Sequence, residues 1–289
     1  MSHNKMSLEE AVIKHQTGFL KSKDIDVIDK DDEGYLKDFQ HNLIEPFSNW
    51  DKIQTELGNE LKGKEGKPAH FLSVRSSSAL CVNNFAPFKE HCTELSFLVY
   101  SGFKEAQFEK KQPTGLGGTP PHLDFYLSSP EVIIGVESKF TEHFGKKKPN
   151  HNDNLKPYLD GWETLKNHFS DISVDFRKNI LEHYAGEGNK SQYLDVAQLI
   201  KHTIGLLNNC GKKEAVLVYL YWEPLNPTID NLFAENRHNI EMFKHRIEQF
   251  IEFVPLSYPE FWKQYENDAL LKDHFSKVKE RYGFEMKTW

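Results

Sequence analysis

Hydrophobic positions along this chain change their spacing several times, and each change marks an element. Tyr35, Phe39, Leu43 and Ile44 recur at near-helical intervals, and Trp50, Ile53, Leu57 and Leu61 resume the pattern after Pro46 interrupts it. This predicts a helix, a break and a second helix. GKEGKP reads as a turn, and in HFLSVRSSSALCVNNFAPF the residues Ala79, Val82 and Phe85 suit one face of a further helix. From Leu95 the pattern shortens to runs with β propensity: LSFLVY, AQFEKK, HLDFYLSS and EVIIGVESKF. Only SSPE separates the apolar parts of the last two, which predicts a tight reversal. A polar loop follows, then mixed helical material to about residue 185. YLDVAQLIKHTIGLLNNC reads as a helix ended by Cys210-Gly211, and AVLVYLYW is the strongest strand signal. NRHNIEMFKHRIEQFIEF and YPEFWKQYEN read as amphipathic helices.

The order helix, strand group, helix, strand, helix predicts an α/β (α+β) fold with a mixed central sheet. The boundaries expected are a polar N-terminal arm over 1–34 and a single decorated domain over 35–289. Its core spans about 71–223 and its helical C-terminal extension spans 224–289. In the arm, Asp24, Asp26, Asp29, Asp31, Asp32 and Glu33 crowd together, but their spacing does not match a calcium loop, so no chemistry is assigned to them.

Composition narrows the function. With 38% hydrophobic and 13% aromatic residues the chain has material for a folded core. The opening residues lack a secretion signal and no run approaches a membrane span, so a cytoplasmic protein without membrane contact is expected. Cys81, Cys92 and Cys210 form neither an even disulfide framework nor a zinc knuckle. A formal net charge of −7 argues against bulk coating of nucleic acid, although an enzyme needs only a local positive surface.

The sharpest local feature is PPHLDFYLSSPEVIIGVESKF. Glu137 and Lys139 lie two apart near the end of one predicted strand, so they share a face, and a hairpin return can bring Asp124 beside them. On a phosphodiester substrate each has a task. Asp124 and Glu137 can hold one or two Mg²⁺ ions through hard oxygen ligands, with the Ser138 carbonyl as a further ligand. Lys139 can orient the attacking water or stabilise charge on the phosphate. A surface salt bridge is the plain structural alternative.

This arrangement resembles the PD-(D/E)XK phosphodiesterase superfamily and its restriction-endonuclease-like members. Asp124 is similar to the isolated acid of that pattern and Glu137-Ser138-Lys139 to its E-x-K, with twelve residues between Asp124 and Glu137. The family's proline-aspartate pair is imperfect here, where the chain reads Pro121-His122-Leu123-Asp124. The resemblance implies a restriction-endonuclease-like core and Mg²⁺-dependent hydrolysis, with Mn²⁺ able to substitute. It further implies a polar or basic residue behind the site, for which Gln198 and Lys201 are the best matches and His202 a weaker one. Glu109 can approach from the preceding strand as an additional acid, and Glu94 is a weaker possibility.

Lys139, Lys146, Lys147, Lys148 and Lys156 outnumber Glu142 and Asp153 across 139–156, which suits a basic lid over backbone phosphates or a merely solvated loop. No HExxH, P-loop or GxSxG is present, which disfavours zinc proteases, NTPases and serine hydrolases. Trp222, Phe250, Phe253, Tyr258, Phe261 and Trp262 are expected to be core aromatics rather than stacking platforms. DNA is the expected partner in a restriction or repair endonuclease, and a homodimer would explain cutting of two strands. An RNA or structure-specific nuclease, or a non-catalytic nucleic-acid-binding or structural protein, are the alternatives.

Overall fold

The computed structural model describes residues 6–28, 34–145, 151–166, 173–186 and 193–287. Five strands form one sheet in the order β1 (Glu105–Lys111), β2 (His122–Ser128), β3 (Val132–Lys139), β4 (Glu214–Tyr221), β5 (Glu252–Ser257). The first three are joined antiparallel, whereas β4 runs parallel to β3, and β5 runs parallel to β4. The expected mixed α/β sheet is therefore present. Helices cover both faces, which is why β3 and β4 read as near-continuous apolar runs rather than alternating ones.

One face packs Phe125, Leu127, Ile134, Val136, Val216 and Val218 against helix α3 (Ser77–Glu90) and the C-terminal helices. The opposite face packs Leu123, Ile133, Leu217 and Tyr219 under α4 (His151–Asp160), α5 (Val196–Asn209) and α6 (Asn231–Ile247). Gly135 lets α5 approach closely. A Cβ there would sit 2.7 Å from Leu123 Cδ1 and 3.0 Å from Leu206 Cδ1.

Helix α3 starts with Ser76 accepting a hydrogen bond from the Ala79 N–H, and it contains Pro87. Proline leaves the carbonyl four residues back without its helical donor. The Asn83 carbonyl is instead taken by His274 Nε2 at 2.8 Å, from helix α8 (Lys272–Tyr282). His274 Nδ1 meets Glu45 at 2.6 Å, and Lys277 also contacts that carboxylate. These contacts hold Glu45 down to about 2, chiefly through the hydrogen bond from His274 and against partial burial. A depressed folded value means stability present above the unfolded value near 4.3 and lost as pH falls toward 2. Urea unfolding of Glu45→Gln should therefore show a deficit against the native chain at pH 7 that shrinks in acid. A deficit independent of pH would contradict this.

Several expectations are corrected. LSFLVY forms no strand of the sheet, because Phe97 and Tyr100 exchange their backbone hydrogen bonds across a Leu98-Val99 turn. Its apolar content serves to bury Leu95 and Phe97 in the core instead. The helix expected from Tyr35 is reduced to a 3₁₀ turn at Phe39–Asn42, since Tyr35 bridges to Ile28 and Ser73 and Asn42 bonds the Phe71 and Ser73 carbonyls, whereas the second expected helix forms as α2 (Trp50–Leu57). The helical reading through Phe253 stops at Ile247, after which β5 pairs with β4. Pro255 is tolerated there because β5 is an edge strand. Ser257 and Glu260 then form a capping box that starts α7 (Tyr258–Gln264).

Within the expected polar arm, Leu8–Ser22 is helix α1, opened by a Ser7/Glu10 capping box and packed through Val12, Gln16 and Leu20. Gln16 bonds both the Arg281 carbonyl and its Nε, at 3.1 and 3.0 Å. Asp29, Asp31, Asp32 and Glu33 of the acidic run lie outside the described residues. Cys81, Cys92 and Cys210 are free thiols. Among the described residues, no helix is long and apolar enough to cross a membrane.

Candidate active site

Sheet register positions the candidate residues. The β2–β3 ladder runs from Ser128↔Ile133 to Phe125↔Val136 and ends there, so Asp124 and Glu137 sit where the two strands part. Phe125 and Leu127 face one core while Leu123 and Tyr126 face the other, so side-chain alternation slips by one residue at Asp124. Between Phe108↔Phe125 and Lys110↔Leu123 the register sets Glu109 opposite Asp124, and Glu109 takes a positive φ of 49°. That left-handed conformation is unfavourable for a residue with a side chain and re-aims it out of the regular pleat.

The Asp124 carboxylate takes the place of the missing ladder bond. Its Oδ2 accepts the Ser138 N–H at 2.6 Å, which ties β2 to the Glu-x-Lys segment. Glu137 is buried, with its Oε1 2.5 Å from Lys139 Nζ and its Oε2 2.9 Å from His202 Nε2. Lys139 also donates to Gln198 Oε1 at 3.0 Å. Gln198 and His202 lie four apart on α5 and so present one face to the end of β3. Asp195 caps this helix by accepting the Gln198 N–H at 3.0 Å. On the other face, Ser138 Oγ lies 2.6 Å from the Tyr258 hydroxyl, which pins the middle of the segment.

Electrostatics separates the acids. Burial pushes the Glu137 carboxyl up, but Lys139 and His202 outweigh it and hold the group down to about 2. Asp124 is raised well above the usual carboxylate range by burial and by the charge of Glu137. Glu109 is raised to about 8 by burial, with Glu60 and Glu137 adding to it, and its Oε2 lies 3.3 Å from His122 Nδ1. Lys139 stays charged, because Glu137, Glu142 and Asp124 outweigh the cost of burying it. A buried charge without such partners would cost several kcal/mol. Glu137 is only 1% exposed, so its pairing with Lys139 and His202 is a buried one rather than a surface salt bridge.

The expected residues Asp124, Glu137, Ser138, Lys139, Gln198 and Glu109 are thus brought together. His202, ranked below Lys201 from sequence, is the residue of that pair that reaches Glu137, whereas Lys201 has no side-chain contact with the group. Lys201 and His202 lie three and four residues beyond Gln198, so spacing alone does not separate them. Glu142 was counted only as a loop charge. It accepts the Phe140 N–H at 2.7 Å, and although burial raises its carboxyl, Lys139 and Ser77 pull it below the ordinary range. Tyr258 was expected only as core. Glu94 is exposed, lies near His91 and takes no part. Lys146, Lys147 and Lys148 of the expected basic lid lie outside the described residues, and Lys156 is exposed.

Two comparisons, with curated proteins and with solved structures, find no match to the chain. A family model, REase-ARP, described as restriction endonuclease associating with ARP, matches residues 8–283 and so takes in α1 as well as the sheet and the C-terminal helices. The five-stranded mixed sheet is consistent with a restriction-endonuclease-like core, and the family description suggests a nuclease with nucleic acid as its partner. The chain belongs to the REase-ARP family of restriction-endonuclease-like proteins.

Proposed function

We propose that this protein is a metal-dependent nuclease that hydrolyses phosphodiester bonds in DNA, with the chemistry described for the PD-(D/E)XK pattern. The observation that carries the reading is the buried Glu137-Ser138-Lys139 segment, joined to Asp124 through the Ser138 N–H and braced by Gln198 and His202. The restriction-endonuclease family supports DNA over RNA as substrate.

The donor set suits Mg²⁺, with Mn²⁺ able to substitute. Asp124, Glu137, Glu109 and Glu142 outnumber Lys139 and His202, and burial beside Glu137 raises Asp124, so the buried cluster has an excess of acid that a divalent cation would relieve. Among the described residues no three His, Cys, Asp or Glu form a ready-made metal cage. Mg²⁺ does not require such a cage, since it commonly uses one or two carboxylates and completes its shell with water and substrate phosphate. Asp124, Glu137 and the Ser138 carbonyl would hold it, and when bound it supplies charge neutralisation and activation of water.

The chain's own residues do the rest. Lys139 presents a fixed ammonium to the scissile phosphate or its attacking water, and Gln198 holds that ammonium in place. His202 and Lys139 keep Glu137 ionised, and Tyr258 holds the strand against movement. Hydrolysis forms the bond from water oxygen to phosphorus and breaks the phosphorus–sugar oxygen bond. The test of substrate class is a side-by-side time course on DNA and matched RNA with Mg²⁺ and an EDTA control. Cutting of DNA but not RNA, silenced by EDTA, is expected; preferential cutting of RNA would overturn the DNA assignment.

A further inference from the structure

The loop after Lys139 opens into a second feature that the nuclease chemistry does not use. A cavity of about 310 Å³ lies between residues 62–67, the start of α3 and the Thr141-Glu142 turn. Lys62, Lys64, Lys67 and Arg75 line it, and Glu142 is the acid in its wall. Arg75 is shared with Glu9 at 3.6 Å, whereas the three lysines are exposed and have no ion-pair partner among the described residues. A backbone bridge between Lys64 and Lys67, turning at Gly66 with φ 77°, folds these two lysines into one short loop.

The other wall is polar and carries acids as well, Glu142 bonded to Ser77 and Glu60 accepting the Ser78 hydroxyl at 2.7 Å. Ser76 takes the Ala79 N–H, which leaves the N–H groups of Ser77 and Ser78 in the first turn of α3 without intrahelical acceptors. Both residues line the cavity. In a chain of net charge −7, this local excess of cations is an exception to the overall balance. Glu142 connects the cavity to the candidate active site: it lies three residues beyond Lys139, bonds the Phe140 N–H and feels the Lys139 charge.

We propose that this cavity binds a phosphate group of the nucleic-acid strand whose neighbouring phosphodiester lies at Lys139. The inference rests on the nuclease reading and adds to it the place where the strand is gripped. Lysine charges and helix N–H groups recognise phosphate without reading bases, so the grip is independent of sequence. The phosphate can be an internal one or that of a strand end, and the chemistry is common to both.

The test compares wild type, a Lys64→Glu/Lys67→Glu double variant, and Lys272→Glu as a control at an exposed lysine outside the cavity. Binding of fluorescent DNA is measured in EDTA over a range of salt, with 5′-phosphorylated, 5′-hydroxyl and circular strands, and wild-type cutting with Mg²⁺ is followed in parallel. The double variant is expected to bind at least about tenfold more weakly and to flatten the slope of log affinity against log salt by about 1.5 to 2, while Lys272→Glu does neither. Loss on all three strands identifies an internal phosphate; loss confined to the 5′-phosphorylated strand identifies a terminal one. A double variant that binds like a wild type able to cut DNA overturns the cavity assignment alone. A wild type that neither binds nor cuts DNA overturns both readings.

Discussion

Replacing Lys139 by alanine is expected to slow DNA cleavage about 10²- to 10³-fold while leaving Mn²⁺ binding intact or tighter. On the proposed mechanism the rate loss follows from removing a fixed charge beside the reacting phosphate, an effect of that size where preorganised charge stabilisation is lost. The binding result has the opposite sign because Lys139 Nζ sits 2.5 Å from Glu137 Oε1, where it competes with any cation for that oxygen. Single-turnover cleavage and calorimetric Mn²⁺ titration separate the two effects. A variant that lost rate only because it lost metal would show Lys139 to be a structural counter-ion.

The largest expected loss of stability comes from Phe85→Ala, about 3–5 kcal/mol in urea unfolding. Phe85 is fully buried and stacks on Phe125 of β2 at 4.7 Å and on Phe261 of α7 at 5.4 Å, with Phe88 and Phe97 at 5.6 and 5.7 Å. It therefore joins α3, the sheet and the C-terminal helices at one point. Truncation leaves a cavity that three separate elements would have to move to close. Because a domain's whole stability is commonly about 5–15 kcal/mol, the variant should approach the limit of folding. A loss near 1 kcal/mol would mean that this aromatic cluster repacks freely.

How much of this was legible in the sequence depended on how local each signal was. Glu137 and Lys139 share a face by strand periodicity, and a short reversal returns β2 to β3, so their meeting with Asp124 was readable. The means of the meeting was not, since the slip at Asp124 and the positive φ of Glu109 leave no mark on hydrophobic spacing. Gln198 was found from its place on a helix before the AVLVYLYW strand. The choice of His202 over Lys201 required the helix phase relative to β3. The helical reading ran on through Phe253, into the start of β5, because the apolar residues there continue the pattern of α6, and only pairing with β4 makes the segment a strand. LSFLVY has strand-like composition, but a turn at Leu98 and burial of Phe97 leave it without a neighbour to pair with. Glu142 and the basic cavity join residues from distant parts of the chain, so no motif could announce them.

We propose that Asp124, Glu137 and Lys139 form a metal-dependent nuclease site. The most direct test is a time course of supercoiled DNA cutting with Mg²⁺ by purified wild type and Glu137→Gln, which removes the charge but keeps the shape. Cutting by wild type and none above the EDTA background by Glu137→Gln is expected, with both proteins folded by circular dichroism. Equal cutting by the two proteins, or no cutting by wild type with Mg²⁺ or Mn²⁺, would overturn the nuclease assignment.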